Sequence, residues 1–132
     1  MGAEPYSYVV PYDADPQRAL DRLRSEVFAS GRYFGASKRP ATPERALELA
    51  GESGTRSILD IETVADEPDF RRAAPLTNAE LDEYFGTRRQ TAEMAENSDE
   101  LWENLERGMA RFFVAYEEDA PTHVVFVGYS FD

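Results

Sequence analysis

Asp60 and Glu62 are the two carboxylates whose spacing comes nearest to chemistry. They stand two residues apart in SILDIETV, residues 57–64, a segment that reads as a strand with Ile58, Asp60, Glu62 and Val64 on one face. Two carboxylates side by side can raise one another's pKa for acid–base work, or hold a hard divalent cation between them. The same pair on a solvent-facing strand is ordinary surface, with Arg56 as a neighbour. Burial in a cleft favours chemistry; an open face removes it.

The remaining chemical residues are few. His123 is the sole histidine, placed where the return strand of a hairpin begins, so any metal site needing two imidazoles is excluded. A serine nucleophile would need a sharp G-x-S-x-G turn, and Gly51, Glu52, Ser53, Gly54 is one residue short of it. With no cysteine in the chain, thiolate zinc sites, thiol nucleophiles and disulfides are absent. The glycine-containing stretch GESGTR, residues 51–56, leads into a predicted strand and carries no lysine, whereas phosphate cradles lead into a helix N-terminus. The sequence thus requires no metal and no cofactor. An enzymatic reading reduces to a cleft at Asp60 and Glu62 with Tyr8 or His123 at its rim.

Charge is the stronger signal. The formal net charge is −12, which argues against direct contact with nucleic acid or an anionic membrane and in favour of a basic protein partner. It is also unevenly placed, with +1 over residues 1–45 and −13 over residues 46–132. Glu93, Glu96, Glu100 and Glu103 load the late helices, and Glu117, Glu118 and Asp119 load the predicted hairpin loop. Solubility alone accounts equally well for such a surface. One patch has the other sign: in GRYFGASKRPA, residues 31–41, Tyr33 and Phe34 stand among Arg32, Lys38 and Arg39. Those two aromatics either fold back on the core or meet a partner. Trp102, on an amphipathic segment, reads as a core anchor.

The elements that must position these residues follow from local signals. Tyr6, Tyr8, Val10 and Tyr12 share one face of a strand over residues 5–12, and Pro5 and Pro11 favour an edge for it. Asp15–Pro16 opens a helix over residues 16–30, and Thr42–Pro43 opens a second that Gly51 stops. Residues 64–76 read as a long loop. Thr77 with Glu80 makes a capping box for a helix ending at Gly86; Thr87 with Gln90 suggests a short helix, and Ser98 caps another. Two apolar runs, Phe112–Tyr116 and Val124–Phe131, then form a hairpin apolar on both faces.

The expected architecture is α+β. A mainly antiparallel sheet of about four strands ends in the C-terminal hairpin, with helices on one face and a different cover on the other, in a single domain over residues 1–132. Gly2, Ala3 and Glu4 lack the basic start and apolar core of a signal peptide, no apolar run reaches membrane-spanning length, and a cytoplasmic location is expected. The leading expectation for function is a non-enzymatic acidic protein-binding module, an inhibitor or immunity-type neutraliser of a basic or nucleic-acid-binding protein. The alternatives are a small enzyme or ligand-binding protein at Asp60 and Glu62, and a homo-oligomeric subunit in which a homodimer covers the second face of the hairpin.

Overall fold

The sheet grows outward from the C-terminal hairpin. In the computed structural model, which describes residues 3–131, β4 (Ala110–Glu117) returns as β5 (Ala120–Tyr129). Phe112 faces Phe126, Phe113 faces Val125 and Val114 faces Val124 across the pair. The turn is tighter than the acidic loop expected from residues 117–122. Glu117 already pairs with Ala120, and Glu118 takes a left-handed backbone at φ 56°.

β1 (Pro5–Pro11) adds antiparallel to the far side of β5, in register from Pro5 opposite Tyr129 to Pro11 opposite His123. It is an edge strand whose prolines stand at its two ends, where no interior ladder donor is lost. On the other side β3 (Arg72–Pro75) runs parallel to β4, and β2 (Thr63–Val64) parallel to β3. The order β1-β5-β4-β3-β2 makes a mixed sheet of five strands rather than a mainly antiparallel one of about four. The missed strand, β3, lies in the stretch that reads as a loop. Its four residues include two fully buried alanines, Ala73 and Ala74, so it shows no alternation, and Pro75 closes it.

Helices cover both faces, not one. α1 (Pro16–Ser30) starts where the Asp15 side chain accepts from the Gln17 and Arg18 amides and ends at left-handed Gly31. α2 (Pro43–Ala50) is capped by Thr42. Both pack with the turn at residues 58–60 on the face carrying Tyr6, Val10, Phe112, Val124 and Phe126. α3 (Asn78–Phe85), with its Thr77–Glu80 capping box, and α4 (Asp99–Glu103), capped by Ser98, cover Phe113, Ala115, Val125 and Val127 opposite. Phe126 is fully buried, which contributes about 1.5–3 kcal/mol. The second apolar face of the hairpin is therefore covered within the chain, and the reason for expecting another copy there is gone.

Two further local expectations give way to tertiary demands. Residues 57–64 do not form one strand: Ser57 Oγ accepts from the Leu59 amide at 3.2 Å and starts a 3₁₀ turn over Ile58–Asp60. Ile58, Leu59, Asp60 and Ile61 are all buried in succession, which a strand with one open face cannot achieve. No helix starts at Thr87 either. Gln90 is buried and its Nε2 donates to the Val114 carbonyl, while a 3₁₀ turn follows at Ala92–Ala95. Among the described residues, no helix is long and apolar enough to cross a membrane.

Candidate functional site

The turn that replaces the strand sends Asp60 inward. Its side chain is sealed from solvent, and Oδ1 accepts from the Thr55 amide at 2.6 Å and the Thr55 hydroxyl at 2.8 Å. That hydroxyl in turn lies 2.8 Å from Ser57 Oγ. Oδ2 accepts no hydrogen bond among the described residues. Burial pushes the Asp60 carboxyl up; the Thr55 donors, the Arg71 guanidinium and the Arg56 amide pull it part of the way back. Tyr6 and Tyr8 lie close enough to feel this carboxyl, their rings 5.8 Å apart. Both phenols are raised, by burial first and with Asp60 adding to it.

Glu62 does not join Asp60. It is exposed, and its carboxylate lies 3.9 Å from Arg72. The two carboxylates belong to different environments, and the paired arrangement expected from a strand is not formed. His123 is also remote. It sits opposite Pro11, five positions along β5 from Gly128, which faces Tyr6, a separation of about 17 Å at the usual strand rise. Its Nδ1 is 2.9 Å from Thr122 Oγ1. Tyr8, by contrast, does lie on the Asp60 side of the sheet.

Outside the wall that hides Asp60 lies a cleft of about 640 Å³. Glu44, Leu47 and Glu48 of α2 form one side, continued by Gly51 and Glu52; Glu62, Phe70, Arg71 and Phe131 form the other. The rings of Phe70 and Phe131 stack at 5.0 Å, and the Arg71 guanidinium lies over both, 5.5 and 5.4 Å from their centres. Arg71 has a left-handed backbone at φ 63°, an uncommon conformation for a residue with a side chain, held by its amide donating to the Gly108 carbonyl at 2.8 Å. Gly54 joins the cleft to Asp60. A Cβ there would stand 2.8 Å from Asp60 Oδ2 and 2.8 Å from the Phe131 ring, so those two are no more than twice that distance apart.

The charges of the cleft are partly matched. Glu48 pairs with Arg45 at 2.8 Å and Glu62 with Arg72, whereas Glu44 and Glu52 have no ion-pair partner among the described residues. An apolar floor beside unmatched carboxylates suits a cation with an apolar stem.

The acidic residues singled out in the sequence divide into two groups. Glu93, Glu96, Glu100 and Glu103 are all exposed, and none has an arginine or lysine within ion-pair distance among the described residues. The Glu100 carboxyl is held above the usual range by the nearby Glu83 carboxyl, first through hydrogen bonding between the two acids, then by slight desolvation and by the charges of Glu83 and Glu103. Glu117, Glu118 and Asp119 lie at the opposite end of β5, about 30 Å from Tyr129. There Asp119 already has Arg89 at 3.7 Å.

Trp102 fills the role read for it, packing against the α3–α4 core layer with Nε1 donating to the Ala95 carbonyl at 2.9 Å and its edge on Tyr129. The aromatic loop splits: Tyr33 stacks on Phe28 at the core margin, while Phe34 stays open under the Arg56 guanidinium. Sequence reasoning passed over Glu44, Glu52, Phe70, Arg71 and Phe131. The one available signal was Phe70, a large aromatic in the charged run DEPDFRR. Set against protein-family models, curated proteins and solved structures, the chain matches none.

Proposed function

We propose that this chain is an acidic protein-binding module that engages a basic protein and acts stoichiometrically, as an inhibitor or neutraliser, through the ridge formed by Glu83, Glu93, Glu96, Glu100 and Glu103. The observation that carries the reading is that Glu83, Glu93, Glu96, Glu100 and Glu103 are all exposed and none has a basic side chain within ion-pair distance among the described residues. Asp82 is matched with Arg88, Glu80 with Arg111 and Asp13 with Arg18; the ridge gathers five carboxylates with no cation among them. Such an arrangement costs free energy in the isolated chain and is relieved when a cationic surface docks.

Capture from lysate of the source organism, with wild type and an E100K/E103K variant as paired baits, identifies the partner and tests the surface in one step. The expected result is a basic protein retained by wild type at low salt, released at high salt and lost from the variant. With the purified partner, charge reversal should slow association by about tenfold or more and flatten its salt dependence. Equal capture by both baits overturns the reading.

A further inference from the structure

We infer that the cleft between α2 and the Phe70–Phe131 pair receives a short arginine- or lysine-bearing segment of a protein partner. This rests on the binding-module reading and gives it a second contact, one that reads a side chain in addition to a field.

Three independent observations support it. The first is charge. Once Arg45 and Arg72 are set against Glu48 and Glu62, Glu44 and Glu52 remain unmatched and outnumber Arg71, the one cation among the lining residues. The second is Asp60 Oδ2, an acceptor sealed in the protein with no hydrogen bond among the described residues and no more than twice 2.8 Å from the Phe131 ring. When ionised, it adds negative potential behind that ring, in surroundings that screen it poorly. The third is the aromatic floor. Phe70 is 52 % exposed in a surface otherwise rich in charge, and it forms, with Phe131, the ring pair over which the chain's own Arg71 guanidinium already lies.

Size and position narrow the occupant. About 640 Å³ is far more than a bare ion needs and falls in the range of sites that take a few residues of peptide or a drug-sized molecule. Phe131, two residues beyond the Tyr129 that Trp102 of α4 touches, lines the cleft. A basic side chain laid on Leu47 and Phe131 keeps its apolar stem dry and its head among Glu44 and Glu52.

The test is an amide NMR titration of the full chain with the blocked peptide Ac-Gly-Arg-Gly-Lys-Gly-NH2, with Ac-Gly-Glu-Gly-Glu-Gly-NH2 as the control. The inference expects saturable shifts confined to residues around Leu47, Gly51, Glu52, Arg71 and Phe131 with the basic peptide only. In E44Q/E52Q, whose spectrum elsewhere should be unchanged, binding should weaken by about tenfold or more, the equivalent of one charge-assisted contact. Phe70→Ser, a second variant at an already exposed position, should weaken it too. No shifts at the cleft, or unaltered binding in E44Q/E52Q, overturns the inference. So does spermidine binding there more tightly than the peptide, which assigns the cleft to a small organic cation, and so does concentration-dependent self-association mapping to it, which assigns it to a second copy. The peptide should bind E100K/E103K within about twofold of wild type, because that variant leaves the cleft intact. Peptide binding without charge-dependent capture of a partner removes the ridge reading; charge-dependent capture without peptide binding removes only the cleft.

Discussion

Arg111 holds Glu80 with both arms of its guanidinium, Nη1 donating to Oε2 at 2.9 Å and Nη2 to Oε1. The same guanidinium donates to the carbonyls of Ala74 at 3.3 Å and Pro75 at 3.0 Å. Glu80 meanwhile accepts from the Thr77 amide at 2.9 Å as the return half of the capping box of α3. One ion pair thus fastens β4, the end of β3 and the start of α3 together.

Removing that carboxylate therefore acts on three elements at once. Glu80→Ala should cost about 2 kcal/mol, combining the loss of a charged hydrogen-bond pair and half of a cap. The pH dependence has a definite sign. Burial pushes the Glu80 carboxyl up, but Arg111 and Thr77 outweigh it and leave it below the usual glutamate range. A depressed folded value means that the stabilisation is present above the unfolded pKa, about 4.3, and is lost as pH falls through the folded one. Urea unfolding of wild type and Glu80→Gln from pH 6 down to 3 checks this: the gap between them should close on the acid side.

Asp60 should behave in the opposite sense. Its folded pKa lies above the unfolded value of about 3.9, so stability is greatest at low pH and declines as pH rises through the raised folded value. Asp60→Asn keeps an oxygen for both Thr55 donors and removes the buried charge, so it should be at least as stable as wild type near neutral pH and lack that decline. Asp60→Ala should instead cost about 2–3 kcal/mol, since it strands the Thr55 amide and hydroxyl without an acceptor. A loss above about 1 kcal/mol for Asp60→Asn at neutral pH would show that the charge itself is held, with Arg71 the nearest cation.

The contrast between these two carboxylates shows how far the sequence could be read. Glu80 belongs to T-x-x-E before an apolar residue, and its place in a capping box is decided within four residues. The starts of α1, α2 and α4 were legible for the same reason, each set by Asp15, Thr42 or Ser98 and its own next turn. Asp60 was singled out as a strand residue because Ile58, Leu59 and Ile61 are strand formers. What turns them into a buried 3₁₀ turn is the layer of α1 and α2 pressing on them, which no local pattern contains. β3 was illegible for a related reason: a parallel strand of four residues, two of them alanine, has only its sheet neighbours, β2 and Ala110 to Phe112, to define it. The cleft inherits both failures, since its walls come from α2, the start of β3 and Phe131.

Tyr6 stands across β5 from Gly128, with a Cβ at Gly128 placed 2.6 Å from the phenol oxygen and 2.8 Å from the Met109 carbonyl. Gly128→Ala should destabilise the sheet by about 1–3 kcal/mol, because the carbonyl is backbone and the ring has no free volume to enter. The Tyr6 hydroxyl is buried without a hydrogen-bond partner among the described residues, so Tyr6→Phe should be neutral or slightly stabilising, within about 1 kcal/mol of wild type. In the double variant the oxygen clash is gone, while the ring carbon that bore it, 2.7 Å away, and the carbonyl remain, so only a small part of the loss should return. Thermal unfolding of the four proteins measures the coupling. Additivity across the cycle would mean that Tyr6 and Gly128 do not press on each other.

The influence of Glu83 on Glu100 is open to direct titration. Hydrogen bonding to Glu83 is the largest influence raising the Glu100 carboxyl, ahead of desolvation and of the charges of Glu83 and Glu103. In Glu83→Gln the negative neighbour is gone, and the Glu100 midpoint, followed by carbon NMR at its side-chain carboxyl, should fall toward the ordinary glutamate range. Added salt should lower it in wild type and lower it less in the variant, where only the charge of Glu103 is left to screen. A bound basic partner should lower it further, because a cation favours the ionised form. Were Glu100 to titrate alike in wild type and Glu83→Gln, the two carboxyls would not be in contact, and the ridge would lose one sign of a surface waiting for positive charge.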